Sequence, residues 1–385
     1  MKRPLSFENA HELGLVLAGT GLIAATYGLV RLAYGLYLSD IQASLDLGPA
    51  AAGYISSGAS IAYCAGALVG LVGDSRPRLL VLAAAGTGSS GALGMALAPS
   101  AAAFVPAAII GSVGAGLASP GLVGVVARNV AEQGRDRAQA VVNSGTGPGL
   151  VLAGLLALAL LPDWRLGFVI AAVVTAAVGA AVLLLSRRST GPAARSADQT
   201  ASSWRRMPVL ATPAVGAVLL GASSAAVWTY GRTQLVAEGV GAGTATLAWI
   251  GLGVGGAATV VTARVLSRLR PARAWVLTTS GVALSVGALA VVAGGAVGGI
   301  AACLLFGWAF VAATSALIAW AAELLPDRAA AGTALLFVAL TLGQAVGSAV
   351  AGTIADATGL SVAFAAAALT ALPSTACGLR RGHAV

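Results

Sequence analysis

The sequence predicts an all-α membrane protein with twelve transmembrane helices in two pseudo-symmetric six-helix bundles. Three observations carry that expectation. Charged residues make up 9% of the 385 and hydrophobic residues 58%, against roughly 25% charged in a soluble domain, so most of the surface has to face lipid. Apolar runs of spanning length, roughly 20 residues, recur twelve times along the chain. One loop motif also repeats at a constant offset in the two halves. A membrane barrel would show short alternating segments instead, and the sequence has none.

Between charges, prolines and polar turns the runs fall at about 14–38, 50–73, 79–98, 102–127, 138–161, 166–186, 207–231, 242–263, 274–293, 296–321, 331–352 and 360–379. Ala, Gly, Leu and Val dominate them. The 52 glycines suit helices whose backbones approach closely, where van der Waals contact replaces the hydrophobic drive. The first run is too long for a cleavable signal peptide and continues as a span. Cys64, Cys303 and Cys377 are isolated inside spans and read as small packing residues, with no disulfide or metal-ligand spacing. No phosphate-binding loop is present, and no cofactor is expected.

The net charge of +9 reports orientation and not a nucleic-acid partner. All Lys and Arg except Arg31, Arg165 and Arg232 fall on one side of a twelve-span arrangement. The positive-inside rule makes that side cytoplasmic and puts both termini there. Arg165 and Arg232 then sit at or near loops of the opposite side. The expected setting is the lipid bilayer of a bacterial cytoplasmic membrane, with the chain acting as a monomer.

Residues 187–206, "RRSTGPAARSADQTASSWRR", read as a flexible linker between bundles 1–186 and 207–385. The halves match each other. "EQGRDRA" (132–138) follows span four and "ELLPDRA" (323–329) follows span ten. Glu132/Glu323, Asp136/Asp327, Arg137/Arg328 and Ala138/Ala329 align at one offset of 191. A repeat of the same orientation is a parallel duplication, as in transporters that rock two bundles about a midplane site.

Six plus six spans, a central basic loop and the acidic-basic loop "GLVGDSRPRLL" (70–80) after span two resemble the major facilitator superfamily over essentially the whole chain. Gly70, Asp74 and Arg78 match the family's signature for that loop. Ser75 stands where a basic residue is usual and Pro77 where a glycine is usual. The second-half counterpart, "TARVLSRLRPARAW" (262–275), keeps the arginines and lacks the acid. The resemblance implies a gate in which Asp74, paired with Arg78 or a nearby helix N-terminus, latches the bundles on the cytoplasmic side. A solvated loop obeying the positive-inside rule would account for the arginines but not for the acid.

Arg31 lies about 18 residues into span one, and a charge at such depth faces a cavity or a partner. At α-helical spacing Thr20, Tyr27, Arg31 and Tyr34 share one stripe, while Gly14, Gly21, Gly28 and Gly35 form a second that suits close helix contact. Two readings of Arg31 stand side by side. It binds an anionic group or stabilises a proton-accepting acid, or it snorkels to the headgroups. "YGLVRLAYGLYL" (27–38) resembles the first span of a poorly characterised bacterial branch of the superfamily. The six tyrosines fall in spans one, two and seven, and the resemblance implies that spans one, four, seven and ten line the cavity. Tyr27, Tyr34, Trp228, Tyr230, Trp308 and Thr314 are therefore candidates for binding a small, moderately apolar molecule, with the interfacial aromatic belt as the alternative. Asn143 and Gln344 are the polar candidates.

In "NSGTGPGLVLAG" (143–154), Gly145, Gly147, Pro148 and Gly149 weaken or bend span five. The stretch resembles a Gly-Pro motif of exporters in the superfamily, with its glycine pair incomplete, and marks Pro148 as a gating residue. No Asp, Glu or His is mid-span, which leaves Asp40, at the outer end of span one, as the best carrier of a coupling proton. The resemblance implies a secondary active transporter working by alternating access, with proton-coupled efflux of a small organic molecule first. Uptake or exchange of an organic anion bound by Arg31 is the alternative. No nucleophile–base pair or metal-ligand set within the spans suggests an enzyme.

Overall fold

The computed structural model describes residues 10–72, 76–186, 208–291 and 295–379. Asp74 and the linker 187–206 lie outside the described residues. Twelve helices among them are long and apolar enough to cross a membrane: α1 (Ala10–Leu45), α2 (Pro49–Gly70), α3 (Pro77–Leu97), α4 (Ala101–Asn129), α5 (Glu132–Leu160), α6 (Trp164–Leu185), α7 (Pro208–Ala237), α8 (Ala242–Leu266), α9 (Pro271–Val291), α10 (Ala296–Leu324), α11 (Pro326–Thr358) and α12 (Leu360–Leu379). The chain is a multi-pass, all-helical membrane protein.

Each predicted span has its helix, but several helices run further than the apolar pattern suggests. α1 continues through Ser39 and Asp40 to Leu45, and α7 continues through Arg232 to Ala237. Those polar side chains are bonded within the fold, so they do not end the helix. The repeated loop motif behaves alike in both halves. Short 3-10 turns at Glu132–Gly134 and Pro326–Arg328 each lead straight into the next helical segment.

Two helices are irregular. Ala24–Leu32 of α1 is π-helical, and the Ala33 amide bonds the Gly28 carbonyl five residues back. A π segment adds a residue to each turn, so the predicted α-helical stripe through Thr20, Tyr27, Arg31 and Tyr34 is not a single face. α5 is interrupted. Its first segment ends at Asn143 and its second begins at Thr146. Pro148 lies in the first turn of that second segment, where its missing N–H costs no helical bond.

By its contacts the chain sorts into two compact units, Met1–Ala33 with Ala62–Ala194, and Tyr34–Ile61 with Arg195–Val385. In the first unit the apolar core gathers Leu15 and Leu22 of α1, Val81 of α3, Leu122 and Val125 of α4, Val142 of α5 and Val182 of α6. The π segment meets the interrupted part of α5 backbone to backbone. A Cβ on Gly28 would run into Gly149, and a Cβ on Gly145 would run into the Thr20 carbonyl. Two arginines cap helix ends, where a cation offsets the unpaired carbonyls. Arg165 Nη1 donates to the Ala96 and Ala98 carbonyls at 2.9 and 2.7 Å, with its guanidinium 4.3 Å over the Trp164 ring. Arg78 donates to the carbonyl and the Oγ of Ser186 at the end of α6.

In the second unit the hairpin 34–61 packs with α7 to α12. Two helix pairs there are held at backbone contact. α7 and α11 meet where Gly221 faces the Leu340 carbonyl and Gly343 faces the Val218 carbonyl. α8 and α10 meet where Gly255 faces the Leu304 carbonyl and Gly307 the Leu252 carbonyl. Side chains larger than glycine would hold these backbones apart.

Candidate functional site

The second unit holds an ion pair inside its helices. Arg232 of α7, 2% exposed, places Nη1 2.7 Å from Asp40 Oδ2 of α1. The same Nη1 donates to Ser39 Oγ at 2.7 Å and to the Leu36 carbonyl at 3.1 Å, and Nε donates to Thr246 Oγ1 of α8 at 3.1 Å. The arginine therefore ties the hairpin to α7 and α8. Such burial is tolerated because the charge is paired and its N–H groups are bonded. The sequence placed Arg232 at or near a loop. The structure corrects that, since the residue is within α7 and among the most deeply buried side chains of the chain.

Three hydroxyls close a triangle a few residues away. Ser56 Oγ of α2 lies 2.9 Å from Thr229 Oγ1 of α7 and 3.0 Å from Ser348 Oγ of α11, and the last two are 3.3 Å apart. Each hydroxyl can donate once and accept once, so the ring satisfies itself. Tyr34 donates to the Ala52 carbonyl at 3.0 Å. Tyr230 donates to the Pro49 carbonyl at 2.8 Å, its hydroxyl seated where Cβ atoms on Gly53 and Gly352 would lie. Both tyrosines hold the hairpin in place. A Cβ on Gly35 would strike the Trp228 carbonyl, so α1 touches α7 at backbone distance here as well.

Trp228 stands at the centre of an aromatic cluster, edge-on to Trp249 of α8 at 6.3 Å and to Phe306 and Phe310 of α10 at 5.4 Å each. Phe306 and Phe310 stack at 5.7 Å. Trp308 leaves this group. Its indole donates to Thr262 Oγ1 at 2.9 Å. Thr314 bonds the Val311 carbonyl of its own helix at 2.8 Å, and Gln344 is buried in α11.

The first unit gathers a different set. The hydroxyls of Tyr27 in α1 and Tyr63 in α2 are 2.6 Å apart, with their rings edge to face at 5.6 Å. The Arg31 guanidinium lies 4.6 Å over the Tyr63 ring, a cation–π geometry. The π segment places Tyr27 and Arg31 on Tyr63 together, while Tyr34 belongs to the hairpin. Asn143 is exposed and accepts from Gln139 Nε2 at 3.2 Å, and Pro148 is exposed. Tyr63, Ser56, Arg232 and Trp249 are site residues that sequence reasoning missed. One signal pointed to Arg232. Asp40 and Arg232 carry opposite charges 192 residues apart, close to the offset of 191 at which the loop motifs after spans four and ten repeat.

A bundle of twelve spanning helices with a paired charge and aromatic clusters among them has the layout of a membrane transporter. The chain belongs to the major facilitator superfamily, whose family model matches residues 19–335. No curated protein matches it by sequence. Among solved structures it is similar to a bacterial homologue of the human lysosomal transporter Spinster, with TM-score 0.79, 16% identity and 97% of each chain covered. It is similar to the nucleoside transporter NupG, with TM-score 0.77, 14% identity, and 98% of this chain and 100% of the other covered. It is also similar to a D-xylose–proton symporter, with TM-score 0.73, 16% identity, and 97% and 99% covered. At these identities the likeness is one of fold. Secondary transport is the function class that the family and fold support.

Proposed function

We propose that the protein exports a small, partly apolar organic molecule by alternating access and that the proton gradient drives it through Asp40. The observation that carries this reading is the Asp40–Arg232 pair. The Asp40 side chain keeps 20% of its surface exposed while that of Arg232 keeps 1%, so a proton can reach the acid and not displace the base. Protonation removes the only charge described beside a buried guanidinium, and a buried ion without its partner is strongly disfavoured. Proton binding at Asp40 thus loosens the hold of α7 and α8 on the hairpin 34–61, and deprotonation restores it. The positive-inside reading puts the turn at 46–48 on the outer face, where protons are abundant in an energised membrane. The interrupted α5, with Pro148 at the start of its second segment, supports export over uptake.

The test uses proteoliposomes with an imposed pH gradient. Asp40→Asn is expected to keep substrate exchange between equal compartments and to lose gradient-driven accumulation. Accumulation at the wild-type level in the variant would remove Asp40 from the coupling step.

A second reading, uptake or exchange of an organic anion, is favoured by one observation: Arg31 is half-buried over Tyr63 beside the Tyr27 hydroxyl. A thermal-shift comparison of wild type and Arg31→Ala with benzoate, tetraphenylphosphonium and a neutral aromatic separates the two. Stabilisation by benzoate alone, absent in the variant, would favour the anion. Stabilisation of both proteins by the other probes would favour export.

A further inference from the structure

We propose that Trp228, Trp249, Phe306 and Phe310 form a substrate subsite of the second unit for a flat, neutral aromatic molecule with a hydrogen-bond acceptor on its rim. The proposal rests on the transporter reading and names the chemistry of its substrate.

Two features carry it. The first is what fills the space between helices. α7 is bound at backbone contact to α11, and α8 to α10, through their glycines. Between these two pairs the four rings meet, three of the contacts edge to face and one stacked. Ring-to-ring contacts at 5.4–6.3 Å can reopen around another ring at little cost, because an inserted aromatic restores the same edge and face contacts. Backbone-to-backbone contacts cannot do so. Trp228 and Phe310 are the half-buried members and give access to the cluster, while Trp249 is 1% exposed.

The second feature is polar. The indole Nε1 atoms of Trp228 and Trp249 are both buried and have no hydrogen-bond partner among the described residues. A buried indole N–H normally finds an acceptor, and a lost one carries a desolvation cost. Two other tryptophans in this unit meet the rule. Trp275 donates to the Ser374 carbonyl at 2.9 Å, and Trp308 donates to Thr262. Among the described residues, the two buried indole N–H groups without an acceptor thus both belong to the one ring cluster, while Ser223 and Thr233 of α7 carry unmet hydroxyls as well. A guest that slips between the rings and presents a ring nitrogen or carbonyl oxygen satisfies a donor that the protein leaves unmet. A purely hydrocarbon guest gains the stacking and leaves the donors unpaired.

Quinoline and naphthalene test this directly, since they share size and shape and differ by one acceptor nitrogen. Saturable binding of each, radiolabelled, is measured by equilibrium dialysis against the protein in lipid nanodiscs at neutral pH, with empty nanodiscs subtracted. Wild type is expected to prefer quinoline by about tenfold, the scale of one buried hydrogen bond. Trp228→Phe and Trp249→Phe keep a ring and remove the donor. The double variant is expected to lose the preference for quinoline. Equal affinities in wild type, no saturable binding of quinoline, or a preference that survives in the double variant would each overturn the subsite. The wild-type comparison needs no variant to fold. Exchange of labelled quinoline across proteoliposomes, read as the rate above that of protein-free liposomes, keeps the two readings apart. Acceptor-dependent binding without any protein-dependent exchange sinks the transporter reading and upholds the subsite. Exchange of benzoate or tetraphenylphosphonium without quinoline binding sinks the subsite alone.

Discussion

Arg232 in the second unit and Arg31 in the first are accommodated in different ways. Arg232 in the second unit is almost wholly buried, paired with Asp40 and bonded to Ser39, Thr246 and the Leu36 carbonyl. Arg31 in the first unit is half-buried and rests on the face of Tyr63. An ion pair with four bonded neighbours is costly to disturb once one partner is altered. A guanidinium over a ring gains roughly 0.5–2 kcal/mol from that contact. The difference is one of burial and of the contact each guanidinium makes.

That contrast can be broken most decisively at Asp40. Asp40→Asn is expected to destabilise the protein by about 3 kcal/mol, because it strands a buried cation. Arg232→Met is expected to cost less, since Asp40 is open to water and an apolar side chain fills the space. Reversible unfolding in SDS mixed micelles measures both, and a larger loss for Arg232→Met would invert the assignment of which partner depends on the other.

Two glycines of α1 sharpen the comparison next. Gly28→Ala in the first unit and Gly35→Ala in the second each press a methyl group onto facing backbone, and each is expected to cost about 1–3 kcal/mol. The same titration reads them, and a neutral result at either position would mean that its helix contact can relax. Ser56→Ala opens the hydroxyl triangle and is expected to cost about 1 kcal/mol, and adding Thr229→Val is expected to cost less than the sum of the two single changes if the ring acts as a unit. The smallest effect is expected at Arg31→Met, under about 1 kcal/mol in stability. A loss as large as that of Asp40→Asn would make Arg31 structural too and erase the contrast.

The helices were legible in the sequence because lipid imposes length and apolarity on every span, and small residues mark close contacts. Gly28 and Gly35 were singled out by their spacing, and both meet facing backbone. The ends of α1 and α7 were not legible. Asp40 and Arg232 look like span ends locally, and their pairing joins residues 192 positions apart. The stripe through Tyr27, Arg31 and Tyr34 assumed a regular α-helix. The sequence "AATYGLVRL" carries no proline to announce the π turns, which lie against the Gly28–Gly149 contact with α5. Trp228 was singled out from its span, but its ring partners come from α8 and α10 and depend on packing that no local pattern encodes. Of the proposed gate, Arg78 is seen at Ser186, and Asp74 lies outside the described residues.

The hairpin 34–61 also bears on modularity. The sequence pattern divides six spans from six at 187–206, and a gene divided there would yield two polypeptides of six spans each. The hairpin is encoded in the first and takes its packing from the second. A C-terminal fragment produced alone would carry Arg232 without Asp40, Thr229 and Ser348 without Ser56, and Tyr230 without the Pro49 carbonyl. The two gene halves are therefore not interchangeable cassettes. Swapping either with that of a relative would require moving residues 34–61 together with the half that follows 187–206.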